Sequence, residues 1–256
     1  MRVTAGAYSD KGARPHNEDA FLCALYTGGS GGAGRVDAGS AEFSSPVDAP
    51  LFFLVADGMG GHDAGDAASA FVVENMRRAA QEAANEERVF DEADIKALVK
   101  SVHKALLIEG KEKGTPNMGS TLTGILLQKD APCGFINAGD SRVYRLRNGF
   151  LQQLSRDDSL SGIVPGAAKN IITNAVGAGL HDVSVASRFS SVIAIKGDIF
   201  LMCSDGVHGF VNDDDLDTFL AGTLTPAETA KRIVETAIAN NSDDNCTAVV
   251  VRLDEE

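Results

Sequence analysis

Apolar and small or polar residues alternate along Val3–Tyr8, and Ala20–Tyr26 is a second short apolar run, so the chain is predicted to open with β-strands. Phe52–Ala56, Ile199–Cys203 and Thr247–Leu253 are apolar runs of strand length and read as buried strands. The period changes over Asp63–Ala84 and Asp91–Lys113, where apolar residues such as Ile95, Leu98, Val102 and Ala105 recur at helical spacing. Asp214–Ala221 and Pro226–Asn240 read as two further helices, the second with Thr225 as N-cap and Pro226 in its first turn. Between the helix pairs lie four short runs, Ser120–Leu127, Cys133–Asn137, Arg142–Leu146 and Phe150–Leu154. The Asn148-Gly149 pair is a strong hairpin signal, so an antiparallel meander is predicted there. Strands, two helices, strands, two helices and a last strand make an α+β chain with antiparallel sheets, since a doubly wound fold would alternate strictly.

Composition narrows this picture in three ways. No stretch after residue 50 has the composition of an interdomain linker, so residues 1–256 are expected to form a single domain; the Gly-, Ser- and Ala-rich segment 27–50 is predicted to be a flexible surface insertion. The formal charge is 23 − 36 = −13 with no Lys/Arg cluster, which argues against nucleic acid or an anionic membrane as partner. Cys23, Cys133, Cys203 and Cys246 lie far apart without C-x-x-C spacing and read as free core thiols in a reducing compartment. No apolar run reaches membrane-span length, and Met1-Arg2-Val3-Thr4 enters structure without a signal-peptide core. A soluble cytoplasmic protein, monomeric, is the expectation.

The candidate chemistry lies in acidic residues set at strand ends and turns: Glu18-Asp19, Asp57-Gly58, Asp205-Gly206 and Asp243-Asp244-Asn245. Hard divalent cations are held by carboxylate oxygens on rigid elements, and carboxylates crowded together would repel one another without a cation between them. The run Asp57-Gly58-Met59-Gly60-Gly61-His62 also brings backbone within reach of a ligand, so Asp57 can offer a carboxylate and Gly58 a carbonyl to one cation. Taken singly, Asp57 reads equally as the cap of a tight strand-to-helix turn, Glu18-Asp19 reads better as an exposed acidic turn, and Asp243-Asp244-Asn245 reads better as a polar turn before a strand. Two Asp-Gly pairs, each closing a buried strand about 150 residues apart, favour a metal site assembled by folding.

Six segments occurring in order carry a resemblance to a known family. They are Arg14-Pro15-His16-Asn17-Glu18-Asp19, Val55-Ala56-Asp57-Gly58-Met59-Gly60-Gly61-His62, Gly119-Ser120-Thr121, Gly139-Asp140-Ser141-Arg142, Ser204-Asp205-Gly206 and Asp244-Asn245. In these the chain resembles the metal-dependent serine/threonine phosphatases of the PPM, or type 2C, family, in their bacterial form. The resemblance implies a four-layer αββα sandwich, two antiparallel sheets flanked by helices, with two Mn²⁺ or Mg²⁺ ions at one end. It implies that Asp57 bridges the ions, that Asp205 and Asp244 complete one shell, and that Glu18 and the Gly58 carbonyl serve the other. Arg14 would hold the substrate phosphate, and His62 is the candidate general acid, with helix capping as its other reading. The family's better-known acid histidine directly follows the Asp-Gly pair, where this chain has Met59. Asn117 stands where an aspartate for a third ion is expected, which would leave that ion loose or absent, and the flap at about 159–175 is short. Phosphoprotein substrates and a cognate serine/threonine kinase are the partners implied. The alternative is a regulatory or non-catalytic, phosphoprotein-binding relative of the same fold.

Overall fold

The computed structural model describes residues 1–24, 26–29, 38–60, 64–160, 171–190 and 193–254. Its strands, in chain order, are β1 (Arg2–Asp10), β2 (Asp19–Cys23), β3 (Tyr26–Gly29), β4 (Ala38–Pro46), β5 (Leu51–Met59), β6 (Gly119–Ser120), β7 (Leu122–Leu127), β8 (Cys133–Ala138), β9 (Arg142–Arg147), β10 (Phe150–Gln153), β11 (Val176–Gly177), β12 (Ala186–Ser190), β13 (Ile199–Cys203) and β14 (Cys246–Asp254). The helices are α1 (Ala64–Asn85), α2 (Glu92–Glu112), the single turn α3 (Asp205–His208), α4 (Asp213–Ala221) and α5 (Pro226–Ala239). Capping boxes start two of them: Asp91 with Asp94 opens α2 and Thr225 with Glu228 opens α5, each pair satisfying two otherwise orphaned backbone donors.

Side-chain parity along the strands builds the layers. In β5, Phe52, Leu54 and Ala56 pack with α1 and α2, whereas Leu51, Phe53 and Val55 face the other sheet. That second seam also takes Phe200 and Met202 of β13 and Val249, Val251 and Leu253 of β14. The opposite face of those strands, Leu201, Cys203, Ala248 and Val250, packs on Leu216 and Leu220 of α4 and Ile233 and Val234 of α5. Three apolar seams therefore separate helix, sheet, sheet and helix, which is the αββα sandwich expected. One sheet runs β10-β9-β13-β14-β1-β4; the other runs β11-β6-β5-β7-β8-β12, with β2 joined to β5 and β3 to β2. Among the described residues every strand pairing is antiparallel.

Two expectations need correction. The segment 27–50 is not a loop throughout: its later part forms β4, which pairs with β1 over nine residues from Ala38 to Pro46. Small residues and Ser suit an edge strand whose outer side chains are exposed, and Phe43 secures it by meeting Phe53 edge-on at 6.1 Å. The meander is also divided. β7 and β8 pair in one sheet and β9 and β10 in the other, so the chain crosses between sheets at Gly139–Ser141. The hairpin turn itself is as expected, with Asn148 at φ 53° and Gly149 at φ 74°. All four cysteines are buried and unpaired.

Candidate metal centre

At one end of the seam between the sheets the inward positions change from apolar to polar without changing parity. Val3, Ala5 and Ala7 of β1 lead to Ser9; Cys23 and Phe21 of β2 lead to Asp19; Phe53 and Val55 of β5 lead to Asp57; Val251 and Val249 of β14 lead to Thr247. Phe200 and Met202 of β13 lead likewise to Ser204. β2 and β5 are in register with Asp19 opposite Asp57, which puts the two carboxylates side by side on the same face. Beneath them runs a continuous buried network. Asn17 donates to Ser9 Oγ (2.8 Å), which meets Thr247 Oγ1 (2.7 Å); Thr247 N donates to Ser204 Oγ (3.0 Å), and Ser204 Oγ donates to Asp19 Oδ2 (2.7 Å).

The remaining acidic positions arrive from distant segments. β6 and β7 break at Thr121, whose N–H donates to Asp57 O (2.8 Å) and whose Oγ1 accepts from Asp57 N (2.9 Å), so the strand interruption fixes the Asp57 backbone. Asn245 ties the last turn to the first: its Oδ1 accepts from Glu18 N (2.8 Å), and its amide donates to Lys11 O and His16 O, both at 2.9 Å. Gly58 N donates to Glu18 O (3.1 Å). At Gly65 a Cβ would fall 2.7 Å from the Glu18 carboxyl carbon, so the start of α1 lies close against the end of that side chain. Arg14 reaches across, with Nη2 on Asp244 Oδ2 at 2.7 Å and Nε on Asp243 O at 2.9 Å.

Electrostatics mark this end as strained. Burial, then the charges of Asp19, Asp205, Asp244 and Asp140, pushes the Asp57 carboxyl well above the usual range. Burial raises Asp205 too, with the charge of Asp244 adding to it. Burial drives Asp19 and Asp140 each up to about 7, and raises Glu18 with help from Asp66. Asp19 Oδ1, Asp140 Oδ1 and Asp205 Oδ1 are buried with no hydrogen-bond partner. Among the described residues no three or more His, Cys, Asp or Glu side chains stand close enough together to hold a metal ion as they are placed. Instead the site offers oxygen-only donors, several of them unsatisfied, whose mutual repulsion only added positive charge would relieve. That chemistry fits a hard divalent cation.

Of the expected site residues, the structure brings Glu18, Asp57, Gly58, Asp205 and Asp244 to this end, with Arg14 on its rim. His62 lies outside the described residues, as do residues 30–37 of the insertion and 161–170 of the flap. Asn117 is exposed and sits against Gly179, and Asp140 is a further buried carboxyl, raised by burial and then by the charge of Asp205. Asp19 and Asp140 were quoted in the motifs without a role; their strand parity and the crossover at Gly139–Ser141 give them one. His103 is buried and His208 half-buried, and both are held by packing bonds: His103 Nδ1 accepts from Gly177 N (3.0 Å) and His208 Nε2 bonds Asp140 O (3.0 Å).

Known proteins with this arrangement are numerous. The family described as protein phosphatase 2C matches residues 30–241. The serine/threonine protein phosphatase PstP of Mycobacterium tuberculosis is 32% identical over 211 residues, covering 77% of this chain, and the matched part is 39% of that relative's length. The serine/threonine phosphatase stp of Listeria monocytogenes is 29% identical over 217 residues, covering 78% of this chain and 84% of its own. Among solved structures, the catalytic domain of PstP in complex with two manganese ions superposes with TM-score 0.76 at 28% identity, covering all of both chains. PppA, described as a key regulatory component of T6SS in Pseudomonas aeruginosa, gives TM-score 0.76 at 29% identity over 98% of this chain and 99% of its own. With the family match spanning most of its length and its acidic strand ends gathered at one end of the sandwich, this chain belongs to the protein phosphatase 2C family.

Proposed function

We propose that this protein is a metal-dependent phosphatase that hydrolyses phosphoserine and phosphothreonine on proteins, using two Mn²⁺ or Mg²⁺ ions. One observation carries the reading: carboxylates from five separated segments, at Asp19, Asp57, Asp140, Asp205 and Asp244, gather at one end of the seam, and buried oxygens of Asp19, Asp140 and Asp205 are left without a hydrogen-bond partner. Glu18, Asp57 and the Gly58 carbonyl would hold one ion, and Asp57, Asp205 and Asp244 the other. When bound, such an ion pair supplies an acidified water for direct attack on phosphorus and offsets charge on the transferring group. The PstP structure with two manganese ions supports this reading, at 28% identity.

The chain's own residues do the rest. The Ser9–Thr247–Ser204–Asp19 network holds the floor of the site rigid, and the Thr121 bonds fix Asp57. Arg14, half exposed and held on Asp244 and Asp243, presents a planar fork of donors at the rim, suited to a phosphate ester. His62 is the candidate proton donor to the leaving seryl or threonyl oxygen. The buried thiols, with Cys203 and Cys246 pushed far above the usual range by burial, offer no nucleophile for a covalent route. Intact Asp57, Asp205 and Asp244 favour turnover over a binding-only role. Phosphoprotein substrates, a partner kinase, a cytoplasmic location and a monomeric state belong to this reading; among the described residues no helix is long and apolar enough to cross a membrane. Hydrolysis of p-nitrophenyl phosphate and of a phosphothreonine peptide, with Mn²⁺ and then with excess chelator, is the test. Turnover that survives chelation would reject the proposal.

A further inference from the structure

One half-buried carboxylate outside the cluster gathers an unusual set of bonds. Asp158 Oδ2 accepts from Gly139 N (3.1 Å) and from Asn174 Nδ2 (2.6 Å). Its backbone N–H donates to Gly139 O (3.0 Å), and its carbonyl accepts from Thr173 N (2.7 Å) and Thr173 Oγ1 (2.9 Å). Beyond it, Ser159 bridges Ile172 and Leu160 N donates to Ile171 O (2.8 Å), so residues 158–160 and 171–174 lie paired. Asn174 is anchored in turn to Ser184, donating to its carbonyl (2.8 Å) and accepting from its N–H (2.9 Å). On its other side, Gly139 is joined by a single peptide bond to Asp140, whose carbonyl oxygen bonds His208 Nε2 (3.0 Å) in α3, the helical turn that Asp205 opens. A continuous chain of contacts thus runs from the α3 turn of the metal centre through Asp140 and Gly139 to Asp158, and through Asp158 to residues 159–160 and 171–174.

We propose that Asp158 is a positioning residue that couples the Gly139–Asp140 turn of the metal centre to the paired residues 159–160 and 171–174. The inference rests on the metal centre put forward above and adds a residue that touches no cation. A carboxylate suits this place because both donors converge on one oxygen, and a full negative charge strengthens both bonds. Occupation of the carboxylate cluster would shift Asp140, and through the two Gly139 bonds that shift reaches Asp158 and the closure it holds. The bland alternative is that Asp158 only closes a turn; in that case its loss would cost stability without separating the two regions.

The chain contains no tryptophan, so Ile171→Trp, at a half-exposed position of the closure, supplies a single emission signal there. Mn²⁺ is titrated into this variant while binding is followed in parallel by calorimetry. The expected result is an emission change that follows Mn²⁺ occupancy, lost when Asp158→Ala is added, with Mn²⁺ affinity weakened by about fivefold, as for a modest coupling between sites. An identical emission change and unchanged affinity in the double variant would overturn the coupling, as would Mn²⁺ binding with no emission change in Ile171→Trp alone. Absence of any binding heat would overturn the metal centre itself, and the coupling with it. Should Asp158→Ala fail to fold, Thr173→Val, which deletes one hydroxyl bond to Asp158, is expected to reduce the emission change, and an undiminished change overturns the proposal.

Discussion

At the scale of single residues, Asp57 is asked to do two opposed things: sit buried among like charges, and remain available as an anion. Replacing it by Asn keeps its shape and removes its charge. The account expects Asp57→Asn to lower kcat by about 10²–10³-fold, the range seen when transition-state charge loses a stabilising partner. In chelator at pH 8 the same variant should be more heat-stable than the parent, because one buried charge is gone from the cluster. A melting temperature equal to or below the parent's would contradict the charge repulsion inferred for Asp57. Asp19 and Asp140 add a pH dependence. Both hold their protons up to about 7 in the folded chain, against 3.8 for an ordinary aspartate. Between those values the native state binds more protons than the unfolded one, so stability falls as pH rises from about 4 through 7. Metal binding needs the deprotonated oxygens and runs the other way, tightening as pH rises. Melting curves in chelator at pH 5.5 and pH 8 test the sign: the higher pH should give the lower melting temperature, and the reverse order would reject the shifts.

At the scale of elements, the site depends on close approach between the start of α1 and the Glu18 turn. Gly65→Ala would place a Cβ 2.7 Å from the Glu18 carboxyl carbon. Because the Glu18 carboxylate can turn aside, the expected cost is at the low end of overpacking, about 1 kcal/mol of stability, and the displaced carboxylate should weaken Mn²⁺ binding; chemical denaturation and calorimetry measure the two. Unchanged values in both would show that the contact is loose. The elements were also where the sequence was most and least readable. Long periodic helices and strands with one-sided or two-sided apolar runs, such as α2 and β5, were evident because burial alone dictates them. β4 was hidden because an edge strand of Ala, Gly and Ser is specified by its register with β1, a long-range contact that local composition does not encode. The split of the meander was hidden for a related reason: the Asn148-Gly149 turn is local, whereas the crossing between sheets at Gly139–Ser141 is decided by which face each strand must bury. Glu18, Asp57, Asp205 and Asp244 were legible as motif residues. Asp19 and Asp140 could have been found by extending the inward parity of β2 and asking why a polar residue continues it.

At the scale of the whole molecule, the cluster joins the two sheets at one end of their shared seam, since Asp19 and Asp57 belong to one sheet and Ser204 and Thr247 extend strands of the other. Cations bound there should clamp the sandwich as well as equip it for chemistry. Saturating Mn²⁺ is expected to raise the melting temperature, by the equivalent of about 2.7 kcal/mol for each site filled at a hundred times its dissociation constant, and chelator should reverse it. No shift in melting temperature on metal addition would count against ions at the seam. The most direct measurement is a crystal grown with Mn²⁺ and read by anomalous scattering. The account predicts two strong peaks on either side of the Asp57 carboxylate, one toward Glu18 and the Gly58 carbonyl, the other toward Asp205 and Asp244; peaks elsewhere, or none, would contradict it.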